Sequence, residues 1–423
     1  MRGRTPWTWL PTLYFTNGLP HVVLVTLTVV VYLQLGMSDT EIAFYTAWFG
    51  LPWVLKPLLR PLLGLYQSKR WWVLSMQIFF ASSLAGVAFT LNYNFWLQGT
   101  IFFFMLMAFS SSTYSMVIDS FCKEEVSKQD YPWGRRVQNI FYHLAIILGK
   151  GVLVPVAGIL QVLFRNKEIY TWSLVFYGLA GVFIVFWLYH GLVLPHCRMP
   201  KRRHSTLVKM SMRDTYFTFL HSYPIWQMII IILFFFLFCM PQGLLFKMSE
   251  TFLLRPGSEG GLGLSPQEFG FASGTVGVIG LVTGGLIGRI LVRRDGLRHW
   301  LWQMACAITL PKVVYVYLSY ILPENIWFIS GCVFIEQFGY GFGYTALSVY
   351  IIYLCQGNAA IQRREICIGI YYLGVIIYGM ISGYLKDMIG YRQFFILIML
   401  LCTLTFIITS LIAVYVDCGK AGR

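Results

Sequence analysis

Long apolar runs, broken only by short polar connections, are the feature that most constrains how this chain folds. A helix crosses the hydrocarbon core of a bilayer with about 20 predominantly apolar residues. Of the 423 residues, 57% are hydrophobic and only 12% are charged, whereas about a quarter of an ordinary soluble domain is charged. The sequence therefore predicts an all-α integral membrane protein with twelve transmembrane helices. Their approximate positions are 9–34, 41–65, 71–92, 96–121, 136–163, 171–194, 224–249, 266–292, 299–321, 325–355, 360–385 and 391–416.

The distribution of basic residues predicts the orientation of these spans. The chain has 32 Lys and Arg residues against 17 Asp and Glu, a formal net charge of +15. If the spans alternate in direction, 22 of the 32 cations fall on one side of the membrane, five fall on the other and five lie within the spans. Because cytoplasmic connections are enriched in Lys and Arg, both termini are predicted to be cytoplasmic. The positive charge thus indicates orientation, and no nucleic-acid partner is expected.

Two features divide the chain into halves of six spans. The one long polar connection, residues 196–214, lies between spans six and seven and carries six basic residues. The second span of each half begins with a capping box, Ser38 with Glu41 and Ser265 with Glu268. In this motif the serine side chain caps the helix, and the glutamate side chain binds the backbone N–H of the serine. Two parallel six-helix repeats are the arrangement of the major facilitator superfamily, whose fold we predict. The predicted domains are an N-terminal six-helix bundle at 1–194, a basic cytoplasmic linker at 195–223 and a C-terminal six-helix bundle at 224–423.

The sequence lacks the residue patterns of metal and nucleophile chemistry. Its nine cysteines are scattered, without a CxxC pair or metal-ligand spacing, so neither a disulfide framework nor a zinc site is predicted. No HxxE, HxxxH or GxSxG motif stands at a predicted membrane face, and there is no P-loop. We therefore predict no enzyme activity, no metal and no cofactor.

Short stretches scattered over most of the chain share residues with one transporter family. They are Gly18-Leu19-Pro20, Leu55-Lys56, Pro61-Leu62-Leu63, Asp119, Tyr142 with Leu144, Thr251-Phe252-Leu253, Phe334-Ile335-Glu336 and the run from Gly341 to Ala346. Together they resemble the AmpG family of muropeptide permeases, which has acetyl-CoA transporters among its distant relatives. The last two stretches are the most specific, because they place an acidic residue within a span ahead of a Gly-rich segment. The resemblance implies a transporter of the bacterial inner membrane.

The chain departs from this family at positions where its members tend to carry charged residues. Ser115 and Gln242 stand where family members tend to carry Asp, and His143 stands where they tend to carry Arg. An Asp-Arg pair of the family is replaced by Gly64-Leu65. These departures bear on the substrate rather than on the fold.

Glu336 is an acidic residue well inside a predicted span. It lies about 11 residues into span ten, or roughly 16 Å along a helix that rises 1.5 Å per residue, near the bilayer midplane. Ionisable side chains at that depth are costly and usually functional. We predict that Glu336 carries the coupling proton, because desolvation favours the protonated carboxyl group. The alternative is a permanent ion pair with Lys150 or Lys312 that ties helices together.

Polar and aromatic side chains within the spans are candidates for binding the solute. Lys150 lies one heptad after His143 on the same face of span five, where a cation can hold a carboxylate or phosphate. The alternative for Lys150 is charge compensation of Glu336 or Asp119, and for Lys312 that role is favoured because span nine is peripheral in the superfamily arrangement. The other candidates are a histidine that is alternatively a hydrogen-bond tie, two tyrosines suited to stacking on a sugar ring, and one glutamine: His21, Tyr340, Tyr344 and Gln242.

Three charged residues near the cytoplasmic ends of spans two and four are candidates for an inner gate. Lys56 and Arg60 are spaced i, i+4 on span two, and Asp119 ends span four, where it is also a candidate for proton transfer. Pairing between these charges would open and close as the two halves rock. The alternative is that the two long basic side chains snorkel to the interface.

Glycines recur in spans eight and ten. Those of span eight form a stripe along one face, at Gly270, Gly274, Gly277, Gly280, Gly284 and Gly288. Small residues at such spacing allow helices to approach closely, so this span is predicted to pack tightly on a neighbour. Span ten contains Gly339-x-Gly341-x-Gly343. No strand precedes this pattern, which argues against a nucleotide loop and predicts a loosened helix beside Glu336.

These features predict a secondary transporter. We expect a proton-coupled importer of an amphipathic solute, an anhydro-muropeptide or a related amino sugar or peptide, that works as a monomer in the lipid bilayer with the solute and protons as partners. The alternatives are an acyl-CoA, siderophore-related or peptide carrier of the same branch, and a non-transporting receptor built on the same fold.

Overall fold

The computed structural model describes residues 6–59, 68–126, 130–165, 167–195, 224–355, 360–412 and 419. Within these ranges all regular secondary structure is helical and no β-strand occurs. A helix satisfies its own backbone hydrogen bonds, as a segment must where no water is available. The prediction of an all-α protein is confirmed. The predicted gate residue Arg60, the Gly64-Leu65 pair and the basic connection 196–214 lie outside the described residues.

The α-helices are numbered α1 to α16 in chain order. The first nine are α1 (Leu10–Val22), α2 (Thr28–Gln34), α3 (Asp39–Ala47), α4 (Leu51–Val54), α5 (Lys69–Thr90), α6 (Trp96–Glu125), α7 (Tyr131–Leu148), α8 (Val154–Leu163) and α9 (Glu168–Val193). The remaining seven are α10 (Ile225–Leu254), α11 (Pro266–Phe269), α12 (Gly277–Asp295), α13 (Leu297–Thr309), α14 (Val313–Ile321), α15 (Ile326–Leu354) and α16 (Ala360–Ser410). Three π-helical turns continue or join these helices, at Val23–Leu27, Gly149–Leu153 and Gly270–Val276.

The helices follow the predicted spans where the structure describes them. Nine helical segments among the described residues are long and apolar enough to cross a membrane. One of them, Arg363–Ser410, contains a break at Gly390, with φ of 75° and ψ of 165°. This break lies between predicted spans eleven and twelve, so the segment corresponds to both. Predicted span ten is α15, with 29 residues. Predicted span two begins with the short helices α3 and α4 and then runs beyond the described residues.

The described residues form two compact units. The first consists of the described parts of Met1–Leu35 and Leu58–Met210, and the second of those of Gly36–Pro57 and Ser211–Arg423. By its contacts, the beginning of predicted span two therefore belongs with the second unit, although it lies in the first half of the sequence. The domain boundaries derived from the internal repeat stay a prediction.

The first unit has an aromatic core. Helix α5 packs against α6 and α9, and α1 packs against α7. Phe80 contacts Phe183, with 5.3 Å between ring centroids, and Phe104 contacts Phe176 at 5.9 Å; all four rings are buried. Helices α1 and α7 approach closely at Gly18, where a Cβ atom would lie 2.6 Å from the Cβ of Ala145. This contact therefore requires glycine.

The second unit contains the close contact predicted from the glycine stripe. Helix α12 packs along α15, and a Cβ atom on Gly280 or Gly284 would lie 2.8 or 2.1 Å from the carbonyl oxygens of Phe334 or Phe338. Only glycine allows the two backbones to approach this closely, because any Cβ would overlap the neighbouring peptide. The prediction of tight packing is confirmed, and the neighbour is span ten.

The glycines of span ten do not loosen its helix. Helix α15 continues without a break through the Gly-rich segment. A Cβ on Gly339 would lie 2.2 Å from the carbonyl oxygen of Ala307, and one on Gly343 would lie 2.5 Å from the Cβ of Ile308. The predicted loosening is therefore wrong: these glycines let α13 approach α15.

Both predicted capping boxes are present. The Ser38 Oγ accepts a hydrogen bond from the Glu41 backbone N–H at 3.3 Å, and the Glu41 carboxylate accepts one from the Ser38 N–H at 3.0 Å. The corresponding distances for Ser265 and Glu268 are 3.3 and 2.9 Å. The sequence repeat therefore marks two helix starts of the same design.

Candidate functional site

The predicted proton-coupling residue, Glu336, lies in a buried polar cluster of the second unit. Its side chain projects from α15 and is only 2% exposed. The Nζ of Lys312, in the turn between α13 and α14, lies 3.7 Å from the Glu336 Oε1 and donates a 2.5 Å hydrogen bond to the Gln242 Oε1 on α10. Lys312 and Gln242 are buried as well. One cation thus joins predicted spans seven, nine and ten.

More polar groups surround this cluster. The Gln337 Nε2 donates a hydrogen bond to the Glu336 Oε2 at 2.8 Å. Tyr315, on α14, is buried and interacts electrostatically with Glu336 and Glu250. Glu250 is itself buried.

The contact between Lys312 and Glu336 is longer than a hydrogen bond. A buried ion pair compensates for lost hydration only when its geometry is close and well hydrogen-bonded. Here the ammonium makes its close hydrogen bond to the neutral amide of Gln242 instead. Of the two cations considered as partners of Glu336, Lys312 is the one that the structure pairs with it.

The first unit carries the predicted solute-binding residues Lys150, His143 and His21. Lys150 lies in the π-helical turn Gly149–Leu153 and is partly buried; such turns are frequent at functional sites. The His143 Nδ1 donates a 2.7 Å hydrogen bond to the carbonyl of Asn139, one turn earlier in α7.

A tyrosine connects the two histidines. The ring centroid of Tyr142 lies 6.1 Å from that of His21 and 5.7 Å from that of His143. The structure thus brings His21 and His143 together at the contact between α1 and α7.

Tyr340 and Tyr344 belong to a larger group of tyrosines in the second unit. Their ring centroids are 5.8 Å apart, and Tyr344 lies 6.0 Å from Tyr371, which lies 5.9 Å from Tyr372. Tyr344 is 36% exposed, so one ring of this tyrosine cluster is open for stacking. Tyr371 and Tyr372 were missed by sequence reasoning, although adjacent tyrosines within an apolar span are a usable signal.

The predicted inner gate stays a prediction. Lys56 lies in the second unit, with its Nζ 5.9 Å from the ring centroid of Trp53. Asp119 lies in the first unit, where its exposed carboxylate accepts a 3.5 Å hydrogen bond from the Tyr14 hydroxyl.

A buried histidine network in the first unit was also missed. His190 contacts the Thr12 Oγ1 through Nε2 at 2.9 Å and the Gln77 Nε2 through Nδ1 at 2.8 Å. Gln77 in turn donates to the Tyr114 hydroxyl at 3.0 Å, which lies 2.7 Å from the Thr16 Oγ1. Because buried polar groups need partners, this network ties α1, α5, α6 and α9 together. A lone histidine in apolar span six was its signal.

Asp39, which directly follows the capping serine Ser38, is a third feature that sequence reasoning missed. Its carboxylate is 1% exposed and forms ion pairs with Arg255 and Lys386.

Ionisable groups buried within apolar helices of membrane-spanning length are typical of membrane transporters. In agreement, the family model described as Major Facilitator Superfamily matches residues 12–371. The chain therefore belongs to the Major Facilitator Superfamily and is a secondary transporter, as its internal repeat predicts.

Curated relatives carry the name of the family that the sequence resembles. A protein of Rickettsia conorii, provisionally named transporter AmpG 1, is 20% identical over 303 residues, which cover 69% of this chain and 68% of the relative. A protein of Rickettsia prowazekii, provisionally named transporter AmpG 3, is 22% identical over 389 residues and 88% of both chains.

Solved structures of other transporters share the fold. The nucleoside transporter NupG superposes with a TM-score of 0.72 at 14% identity, covering 97% of this chain and 100% of NupG. A D-xylose-proton symporter superposes with a TM-score of 0.66 at 12% identity over 98% of both chains. At these identities the likeness shows the fold alone.

Proposed function

We propose that this secondary transporter is a proton-coupled importer of an amphipathic solute, an anhydro-muropeptide or a related amino sugar or peptide. The observation that carries the proposal is the buried cluster of Glu336, Lys312 and Gln242. In this cluster the Lys312 ammonium lies 3.7 Å from the Glu336 carboxylate and donates its close hydrogen bond to Gln242. The relatives named transporter AmpG support the resemblance to that family, and the substrate class is taken from the resemblance.

A proton on Glu336 would change how three helices are connected. Neutralising the carboxylate removes its attraction to Lys312, and with it the ionic link between α15 and the turn that precedes α14. Lys312 keeps its hydrogen bond to Gln242 on α10 in either state. Because the protonated and ionised carboxyl groups favour different helix contacts, proton binding shifts the balance between conformations, which is the physical basis of coupling.

The solute contacts in this proposal differ in chemistry. In the second unit, Tyr340 and Tyr344 offer aromatic faces for a sugar ring, and Gln242 offers an amide. In the first unit, Lys150, His143 and His21 offer positive charge and hydrogen-bond donors for a carboxylate or phosphate. Asp119 takes part in proton transfer.

The cellular setting belongs to the same proposal. The protein is a multi-pass monomer of the bacterial inner membrane with both termini in the cytoplasm, and its inner gate pairs Asp119 with Lys56 and Arg60.

Uptake into sealed vesicles tests the proposal. Purified protein is reconstituted into proteoliposomes and offered labelled anhydro-muropeptides, sugars and peptides, with and without an inward proton gradient. We expect an anhydro-muropeptide to accumulate above its external concentration only with the gradient, and a protonophore to abolish the accumulation. Binding without uptake would instead indicate a receptor, and accumulation that ignores the gradient would contradict proton coupling.

The variant Glu336→Gln tests whether loss of the ionisable group abolishes proton coupling while the protein still folds. It keeps the shape of the side chain but cannot ionise. We expect it to exchange internal for external solute at close to the native rate while losing gradient-driven accumulation. Glu250→Gln is the matched control, because Glu250 is also a buried glutamate of the second unit, and it should keep both activities. Equal loss in the two variants would contradict a specific role for Glu336.

A further inference from the structure

Asp39, at the start of α3, is surrounded by charge of the opposite sign. The Arg255 Nε and Nη2 donate to its Oδ1 at 3.1 and 3.0 Å. Its Oδ2 pairs with the Lys386 ammonium and accepts a 2.7 Å hydrogen bond from the Tyr391 hydroxyl. We name these four residues the Asp39 cluster. Both oxygens of a carboxylate that is 1% exposed are therefore bound by two cations and a phenol.

Neighbouring backbone groups strengthen the same contact. Arg255, directly after α10, also donates from Nη2 to the carbonyl of Met37 at 2.7 Å. The backbone N–H and the hydroxyl of Thr40 both donate to the carboxylate of Asp387 on α16, the former at 3.2 Å. The start of α3 is thus attached to the end of α10 and to α16 through main-chain and side-chain groups.

The Arg255 guanidinium remains charged in this setting. Burial lowers the pKa of Arg255, but the carboxylates of Asp39 and Glu259 raise it by more, so that it lies above its ordinary value. The Arg255–Glu259 pair, at 3.0 Å, involves a half-exposed carboxylate, whereas the Asp39 carboxylate is buried.

Helix α16 has a glycine, Gly383, where its backbone meets the start of α3. A Cβ atom on Gly383 would lie 2.4 Å from the carbonyl oxygen of Asp39 and 2.7 Å from the Cα of Thr40. The two backbones therefore touch at a glycine, one turn from Lys386. Further along α3 the contact is apolar, with Ala47 an ordinary 3.7 Å from the position a Cβ on Gly379 would take. The polar attachment is concentrated at one end of the helix.

Helix α3 lies in one half of the sequence but is attached to residues of the other half. By sequence, α3 begins the second span of the first six-helix half, but by contacts it belongs to the unit formed by Ser211–Arg423. In a transporter of this fold the halves rock against each other. A helix of one half that is ionically attached to the other must be released during that motion.

We propose that the Asp39 cluster is a releasable outer clamp, which holds the start of span two on spans seven and eleven and opens when the transporter exposes its solute site to the outside. The clamp rests on the family assignment and on the predicted orientation, and it depends neither on the identity of the solute nor on the coupling proton. Asp39, Arg255, Lys386 and Tyr391 are then gating residues of the transport cycle.

The rate at which a cysteine at position 37 is labelled would report opening of the clamp. Met37 is 5% exposed and directly precedes the capping box, so Met37→Cys introduces a buried thiol smaller than the native side chain. Full-length protein in right-side-out membrane vesicles is treated with a membrane-impermeant maleimide, and labelling at position 37 is followed by peptide mass spectrometry, which separates it from the native cysteines. With Asp39→Asn added, two largely buried cations lose their carboxylate, and we expect labelling at least about tenfold faster.

Two further variants test whether faster labelling results from losing the contacts of Asp39. Glu259→Gln removes the half-exposed partner of Arg255 and should change the rate by less than about twofold. Tyr391→Phe, which keeps the ring, should accelerate labelling about two- to fivefold because one buried hydrogen bond is lost, and it replaces Asp39→Asn if that variant does not fold. An unchanged rate in the folded Asp39→Asn or Tyr391→Phe variant would overturn the proposal, as would acceleration seen only in inverted vesicles.

Discussion

Two carboxylates of the second unit, Asp39 and Glu336, are equally buried but held in different ways. Asp39 has both oxygens bound, by Arg255, Lys386 and a tyrosine hydroxyl. Glu336 has one cation at 3.7 Å and a hydrogen bond from a neutral amide. Movement of Asp39 breaks close contacts to two cations at once, whereas the Lys312 ammonium is already beyond hydrogen-bond distance from Glu336. The first arrangement suits a contact that holds helices together, and the second suits a contact that changes during each cycle.

The largest effect on stability is expected for Asp39→Asn. It removes a carboxylate shared by two largely buried cations, and breaking a buried ion pair from one side costs about 3–5 kcal/mol. Thermal unfolding of the purified variant in detergent, followed by circular dichroism, measures the loss. A midpoint within one or two degrees of the native value would show that the Asp39 cluster holds nothing in place.

A smaller loss is expected for Gly383→Ala, which disturbs the same helix contact without changing any charge. The added Cβ overlaps the backbone of α3, and overpacking of this kind costs about 1–3 kcal/mol. Gly181→Ala is the matched control, since a Cβ there has no neighbour within 4 Å. If both variants unfold at the same midpoint, the close approach of α3 and α16 does not contribute to stability.

Glu336→Gln should cost less than Asp39→Asn, about 1–2 kcal/mol, because the lost contact is a single charged partner beyond hydrogen-bond distance. Lys312 retains its hydrogen bond to Gln242. Unfolding midpoints of the two variants, measured side by side, compare the two carboxylates directly. A cost for Glu336→Gln equal to that of Asp39→Asn would remove the distinction between a holding and a changing contact.

The smallest effect, below about 0.5 kcal/mol, is expected for Glu259→Gln, because half-exposed ion pairs are screened by water and salt. Raising the salt concentration should affect the native protein and this variant alike. A loss of more than about 1 kcal/mol would mean that Arg255 depends on its exposed partner as well as on Asp39.

Much of the fold followed from local sequence patterns, because the physics that produces it is local. Apolar runs determine the helices, the two serine-glutamate pairs determine where helices start, and the glycine stripe indicates a close helix contact. The glycines between Gly339 and Gly343 were misinterpreted because the same residue loosens a helix or admits a neighbour. Only the position of α13 distinguishes these two uses.

The charge pairs could be predicted only in part. Lys312 was considered as a partner of Glu336 because both lie at similar depth. Asp39, in contrast, meets Arg255 at a sequence separation of 216 residues and Tyr391 at 352. Which side chains meet at such separations depends on how helices are rotated and shifted against each other, which no local pattern contains. Asp39 lies in the first turn of a capped helix, where acidic residues are common. No local pattern therefore marks it as the partner of two distant cations.

Proton movement during solute uptake tests most directly whether Glu336 carries the coupling proton. Proteoliposomes containing a pH-sensitive dye receive an external anhydro-muropeptide, and the acidity of the lumen is recorded. For the native protein and for Glu250→Gln, we expect acidification that starts with solute addition. For Glu336→Gln, we expect solute exchange to continue without acidification. Acidification by Glu336→Gln at the native rate would contradict the account.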